Sequence, residues 1–282
     1  FLEWPIRYLE CVYLEGIPVI PSSWYNGPMA KKLIIGNWKM NPQSIKEAEI
    51  LFKNISKTIK GIKNTEVVVC PPFPLLSTIA KFKNKKIALG AQNVFYEQKG
   101  AYTGEVSPTL LRDLGVTYVI VGHSERRSLG DSDEVINKKL VGAIKARLTP
   151  VLCVGESVRE HNGFYLATVK DQITRGLAGI PKAQVKQIVI AYEPVWALSS
   201  TENRHDATPH DFEEMKIFIR KILTDMSGPS VGSSVRVIYG GSVNKDNAEA
   251  FLSVGADGLL PGKASLDAKN FSAIVQIASN IK

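Results

Sequence analysis

An α/β fold in which eight parallel strands and their helices close into a single (β/α)8 barrel is what this sequence predicts, on three observations. Apolar, β-branched runs recur eight times beyond Lys32, and segments of helical period separate them. The alternation continues unbroken for about 250 residues, the size such a barrel needs. A doubly wound open sheet is the runner-up, but no Gly-x-Gly-x-x-Gly turn follows the first run.

The first run, 33–37, leads into 44–60, whose helical spacing begins behind Ser44, a residue type that caps helix starts. Runs at 66–70 and 87–92 follow, apolar at nearly every position, as strands buried on both faces are. The fourth run, 118–122, precedes a short helical stretch at 124–128 and a longer one at 132–147 that opens on Asp131 or Ser132. The fifth is 150–155. The sixth, 187–193, ends on a single carboxylate, Glu193, which Pro194 holds extended. Thr208 and Pro209 then open a helix at 209–225, with proline at the first helical position where its missing N–H costs nothing. A seventh run at 236–240, a helix at 244–254 and an eighth run at 258–262 complete the series.

Residues 1–28 differ from the rest: they hold Trp4, Trp24 and four prolines with no sustained period, and Met29-Ala30 precedes the first strand. We read 1–28 as an extension outside the barrel, with Met29 as the natural start and 29–282 as one catalytic domain. The alternative is a strap packing its aromatic rings on the body. The stretch lacks the basic start and long apolar centre of a signal peptide.

With 44% hydrophobic and 22% charged residues the chain can fill a large core, and no apolar run approaches the roughly 18 residues of a membrane span. The net charge is +8; residues 1–28, with Arg7 against Glu3, Glu10 and Glu15, carry −2, so the remainder carries +10. Its lysines and arginines are spread over helix-like segments without interleaved aromatics, which argues against nucleic acid as a partner. Three cysteines, Cys11, Cys70 and Cys153, cannot all pair, and the last two lie in strand-like runs. Buried thiols in a cytoplasmic protein are expected.

The strand ends carry the chemistry. A barrel brings Asn37 and Lys39, His123, Glu193, and the glycine turns Gly240-Gly241-Ser242 and Gly262-Lys263 to one mouth. Singly, each has a structural reading: a solvated lysine, a packing histidine, a strand-capping carboxylate, tight turns. Together they are a set that stability alone does not require. A carboxylate at such a mouth can act as a base and an imidazole as a hydrogen-bond donor, which makes Glu193 and His123 candidates for acid–base chemistry. His123 stands at the positive end of the 124–128 helix, which disfavours imidazolium. Lys39 suits an anionic substrate group as a counter-charge. The four histidines show no metal-ligand spacing, so neither metal nor cofactor is expected.

Four blocks, Gly36-Asn37-Trp38-Lys39-Met40-Asn41, Gly122-His123-Ser124-Glu125-Arg126-Arg127, Ala191-Tyr192-Glu193-Pro194-Val195-Trp196-Ala197 and Tyr239-Gly240-Gly241-Ser242-Val243, resemble the triosephosphate isomerase family in its order. The resemblance runs from about Met29 to Lys282. It implies a TIM barrel that interconverts dihydroxyacetone phosphate and D-glyceraldehyde 3-phosphate through an enediolate, a step of glycolysis and gluconeogenesis. It assigns Glu193 as base, His123 as electrophile, and Asn37 and Lys39 to holding substrate. Ser199, Gly241, Ser242, Gly262 and Lys263 would grip the phosphate, and Glu125, Arg126 and Cys153 would support the site. A homodimer follows from the same resemblance, through the long loop 92–105 with Phe95 and Tyr102.

The chain departs from the family twice. Its lid, 198–208, is longer, more charged and free of glycine, and Lys263 stands where a second glycine is usual. Two other function classes stay open: a barrel of the same ancestry that binds phosphate ligands but turns over poorly, and another phosphate-binding barrel enzyme. Lys39, His123 and Glu193 together argue against the first, and the lack of a second strand-end carboxylate pair against the other.

Overall fold

The computed structural model describes residues 12–14, 17–19, 31–82, 84–159, 163–198 and 205–281. The chain divides into two compact units, Phe1–Ala30 and Lys31–Lys282. In the first, β1 (Val12–Leu14) pairs antiparallel with β2 (Ile17–Val19), Val12 opposite Val19. Three-residue strands are too short for a period to emerge from sequence. Trp4, Trp24 and Met29 lie outside the described residues, so the choice between extension and strap does too.

In the second unit β3 (Lys32–Asn37), β4 (Thr65–Cys70), β5 (Ile87–Ala91), β6 (Val116–Val121), β7 (Thr149–Val154), β8 (Val189–Tyr192), β9 (Arg236–Tyr239) and β10 (Gly258–Leu259) close a barrel, every pairing parallel. Between them run α1 (Ile45–Thr58), α2 (Phe73–Ala80), α3 (Pro108–Asp113), α4 (Ser124–Ser128), α5 (Asp133–Lys145), α6 (Phe164–Gly176), α7 (Lys182–Val185), α8 (Pro209–Ser227), α9 (Pro229–Ser234), α10 (Ala248–Ser253) and α11 (Ala268–Asn280). No described helix is long and apolar enough to cross a membrane.

Strand alternation builds two cores. Leu33, Ile35, Val68, Ile120, Val151, Cys153, Val189 and Ile238 point inward and fill the barrel. Ile34, Val67, Val69, Val119, Leu152 and Ile190 point outward against the helices. Each such aliphatic side chain taken fully from water contributes about 1.5–3 kcal/mol.

The caps follow the sequence signals. Ser44 accepts from the Glu47 N–H, Ser132 from the Val135 N–H, and Thr208 with Asp211 forms a reciprocal capping box. Two elements differ from the sequence expectation. The helix read at 244–254 begins only at Ala248, because the Asn244 side chain accepts the N–H groups of Asp246 and Asn247 and holds those residues in a turn. The eighth strand is two residues rather than five, since Pro261 brings no N–H to the ladder. Its seam continues irregularly: Leu260 N–H donates to Tyr239 O at 2.8 Å and Asn37 N–H to Pro261 O at 3.0 Å.

Candidate active site

At the end of β3 the Asn37 side chain, 5% exposed, accepts the Lys39 N–H at 3.0 Å. That bond accompanies a backbone φ of 52° at Lys39, in the left-handed region rarely used by lysine. Gln92 Nε2 donates to the carbonyls of Lys39 and Cys70, both at 2.8 Å, and so fastens the turn from the end of β5. Lys39 Nζ meets Glu125 Oε1 at 2.5 Å. A Cβ on Gly262 would lie 3.3 Å from Lys39 Cε, so the lysine stem runs close past that glycine.

His123 caps α4, and its Nδ1 accepts the Glu125 N–H at 3.1 Å. A ring nitrogen that accepts carries no proton, so the imidazole is neutral with its proton on Nε2. Nε2 lies 3.4 Å from Glu193 Oε1. Glu193 is 1% exposed; its Oε2 accepts the Ser124 N–H at 3.2 Å, and Oε1 has no hydrogen bond.

Two glycines make room for that carboxylate. A Cβ at Gly155 would fall 1.8 Å from the Glu193 carbonyl oxygen, and one at Gly240 would fall 2.8 Å from Glu193 Cγ. Cys153 lies buried in the barrel interior; burial and the neighbouring Glu193 carboxylate push its thiol well above the ordinary range.

The remaining strand ends form the far wall. Gly240 N–H donates to Tyr192 O at 2.8 Å, and Ser242 Oγ donates to Ala197 O at 2.9 Å. Asn247 Nδ2 holds the Ser242 carbonyl at 2.8 Å. Ser265 Oγ donates to Gly262 O at 2.6 Å and Asn37 O at 3.3 Å, tying the eighth strand's end to the first. Lys263 opens a 3-10 turn, Lys263–Leu266, with its side chain exposed. A cleft of about 510 Å3 opens among Asn37, Lys39, His123, Leu198, Gly240, Gly241, Ser242, Gly262 and Lys263, a size suited to a small metabolite.

Two groups that sequence reasoning passed over brace this mouth. Arg127 Nε donates to Gly122 O at 2.8 Å and Nη2 to Cys153 O at 3.3 Å, while Nη1 pairs with Asp133 at 2.6 Å. Its neighbour Arg126 turns instead to Asp131 at 3.0 Å, and Asp131 pairs with buried Lys139 at 2.6 Å. Nothing in an Arg-Arg pair says which of the two reaches the strand ends. The other group is Glu156, whose Oε1 accepts from Trp196 Nε1 and from Tyr192 OH, each at 2.8 Å. Burial pushes the Glu156 carboxyl above its ordinary range, and those two donors offset the push only in part. Arg159 reaches Tyr192 OH at 3.4 Å, Asp211 at 3.4 Å and Glu214, and lies over the Trp196 ring. These contacts hold the chain on the near side of the segment expected to form the lid. Ser199 and most of the lid, through Arg204, lie outside the described residues.

Among the described residues no group of three or more His, Cys, Asp and Glu is arranged to hold a metal ion.

Comparison with known proteins agrees with this geometry. A family model described as triosephosphate isomerase matches residues 32–278. Triosephosphate isomerase of Carboxydothermus hydrogenoformans is 43% identical over 252 residues, 88% of this chain and 99% of that protein. That of Moorella thermoacetica is 45% identical over 251 residues, covering 88% of this chain and 98% of that protein. A crystal structure of triosephosphate isomerase from Bartonella henselae superposes with a TM-score of 0.76 at 34% identity, covering 88% of this chain and 98% of that one.

Proposed function

This chain belongs to the triosephosphate isomerase family, and from that premise we propose how its mouth interconverts dihydroxyacetone phosphate and D-glyceraldehyde 3-phosphate. Glu193 takes the proton from the carbon beside the carbonyl and returns it to the neighbouring carbon. His123 Nε2–H donates to the oxygen that becomes the enediolate. One observation carries the assignment above the others: Nδ1 of His123 accepts a helix N–H at 3.1 Å, which leaves a neutral ring with its only proton facing Glu193. A neutral imidazole gives a donor matched to an enediolate, where an imidazolium would be tied up by the carboxylate.

Glu193 is almost wholly buried, and its Oε2 is held by the Ser124 N–H. Its unbonded Oε1 is the oxygen for the transferred proton. Lys39, on its constrained turn, supplies positive charge, and Asn37 holds that turn in place. The backbone at Gly241, Ser242, Gly262 and Lys263 receives the phosphate. Cys153 and Glu125 pack around the two proton-transfer groups. Lys263 keeps its side chain in solvent and acts through its N–H. No observation favours the poorly active alternative.

The proposal includes a homodimer. The Phe95 ring packs at a tilt against Tyr96 and Tyr102 with centroids 4.1 and 4.6 Å apart, and Tyr102, Leu110, Leu129 and Met40 are exposed, Met40 at 81%. Apolar side chains of this size in the open are what a partner covers. It also includes a cytoplasmic setting, which the buried free thiols of Cys70 and Cys153 suit, and a barrel that stands without residues 1–28. A coupled assay with glyceraldehyde 3-phosphate tests the activity: turnover that disappears in Glu193→Gln is expected, and turnover that survives that change overturns the assignment of the base.

A further inference from the structure

A second cleft, of about 900 Å3, opens at the opposite, amino-terminal end of the barrel strands. Four lysines line it from three separate loops: Lys31 before β3, Lys63 before β4, and Lys85 and Lys86 before β5. Among the described residues one carboxylate lines it, Glu66, and both its oxygens are occupied. Oε2 pairs with Arg236 at 2.7 Å and Oε1 accepts from Tyr118 OH at 2.5 Å. Burial raises that carboxyl, but the Tyr118 and Arg236 hydrogen bonds and the charges of Arg236 and Lys31 hold it below the ordinary range. Its charge is therefore already matched by Arg236.

Among the described residues no ion pair within 4.0 Å compensates the four ammonium groups, and all four side chains are exposed. Lys86 is steadied at the rim, its Nζ 3.3 Å from Ile62 O and its N–H on Asn84 Oδ1 at 2.8 Å. The Thr65 hydroxyl, on a residue that lines the cleft, has no hydrogen-bond partner. Like charges gathered in a concavity focus a positive field and draw anions into it.

We propose that this cleft binds a linear polyphosphate chain, at a site distinct from the substrate mouth. A single phosphate, with about −1.5 to −2 charges, would leave roughly half of the lysine charge unmatched. Among the described residues the lining holds no aromatic side chain on which bases could stack, which argues against single-stranded nucleic acid. The chain can come free or as the tail of a nucleoside triphosphate, since the lysines recognise the phosphates alone.

The test is titration calorimetry on the full-length protein at low ionic strength. Glycerol 3-phosphate, which has no carbonyl to enolise, is kept saturating so that the substrate mouth is filled. Sodium tripolyphosphate and metal-free ATP are the two probes. Submillimolar binding of tripolyphosphate is expected, weakening as salt screens the lysines over about 10 Å at 0.1 M. ATP binding as tightly identifies the nucleotide tail as an acceptable source, and ATP failing to bind restricts the site to the free chain. The double variant Lys63→Gln/Lys85→Gln should bind about tenfold more weakly, with kcat/KM for the isomerase reaction and the circular dichroism spectrum unchanged. No heat once the mouth is filled, or equal affinity in the double variant, overturns the proposal.

Discussion

Gly240→Ala probes the position of the proposed base without touching its chemistry. The new Cβ would lie 2.8 Å from Glu193 Cγ, 3.4 Å from Tyr192 O and 3.5 Å from Glu193 Oε1. Carbon atoms settle about 3.5–4.0 Å apart, so Cγ must retreat by about 0.7 Å or more. A misplacement near 1 Å can cost roughly 10²-fold, or about 2.7 kcal/mol of barrier. Scaled to 0.7 Å the loss is about 2 kcal/mol, roughly 30-fold in kcat. KM should move less than about threefold, because Glu193 meets the reacting carbons and not the phosphate. Overpacking of this kind costs about 1–3 kcal/mol of stability, so Tm falls by roughly 3–10 °C and the variant stays folded at 25 °C. Gly61→Ala, where an added Cβ meets nothing within 4 Å, is the control. The coupled assay reads both parameters. A Gly240→Ala protein with wild-type kcat, or with its whole loss in KM, would refute the placement of the base against this glycine.

His123→Gln should lower kcat by about 10²–10³-fold through loss of one preorganised donor, while inhibition by a phosphate-bearing analogue stays within about twofold; collapse of that inhibition at unchanged kcat would move His123 to the phosphate site. Asp131→Asn strips buried Lys139 of its charge partner, their side chains being 8% and 4% exposed, and should cost about 3 kcal/mol, seen as a fall in Tm of about 6–12 °C. Burial raises the Asp131 carboxyl, but Arg126 and Lys139 more than offset that and hold it below its ordinary 3.8. With the folded value depressed, the stability is complete above 3.8 and is lost as pH falls through the folded value. The gap between wild type and variant should thus be constant at neutral pH and close in acid, and a gap that widened in acid would contradict the pairing. Lys263→Gly should change KM less than twofold with little salt dependence; a tenfold rise that shrinks with salt would make its ammonium a direct ligand.

The strands and most helix starts were legible because their causes are local. Runs such as Val67-Val68-Val69 can be buried only as strands, and Ser44, Ser132 and Thr208 cap the N–H groups a few residues ahead. That Lys39, His123 and Glu193 meet was legible because a barrel sends all its strand ends to one mouth. What stayed hidden depends on side chains meeting across the fold. Gln92 clasping the Lys39 turn joins residues 53 apart, and Trp196 on Glu156 joins residues 40 apart. No spacing rule connects either pair. The false start of α10 had a local cause that was misjudged: Asn244 competes for backbone N–H groups and delays the helix.

The account stands or falls on Glu193 as the group that moves the proton. Glu193→Asp keeps the carboxylate and retracts it by one methylene, more than the roughly 1 Å that costs about 10²-fold. Steady-state turnover of glyceraldehyde 3-phosphate by the purified, folded variant is the measurement. The account predicts kcat reduced by a hundredfold or more with KM nearly unchanged, and a variant that turns over at close to the wild-type rate would contradict it.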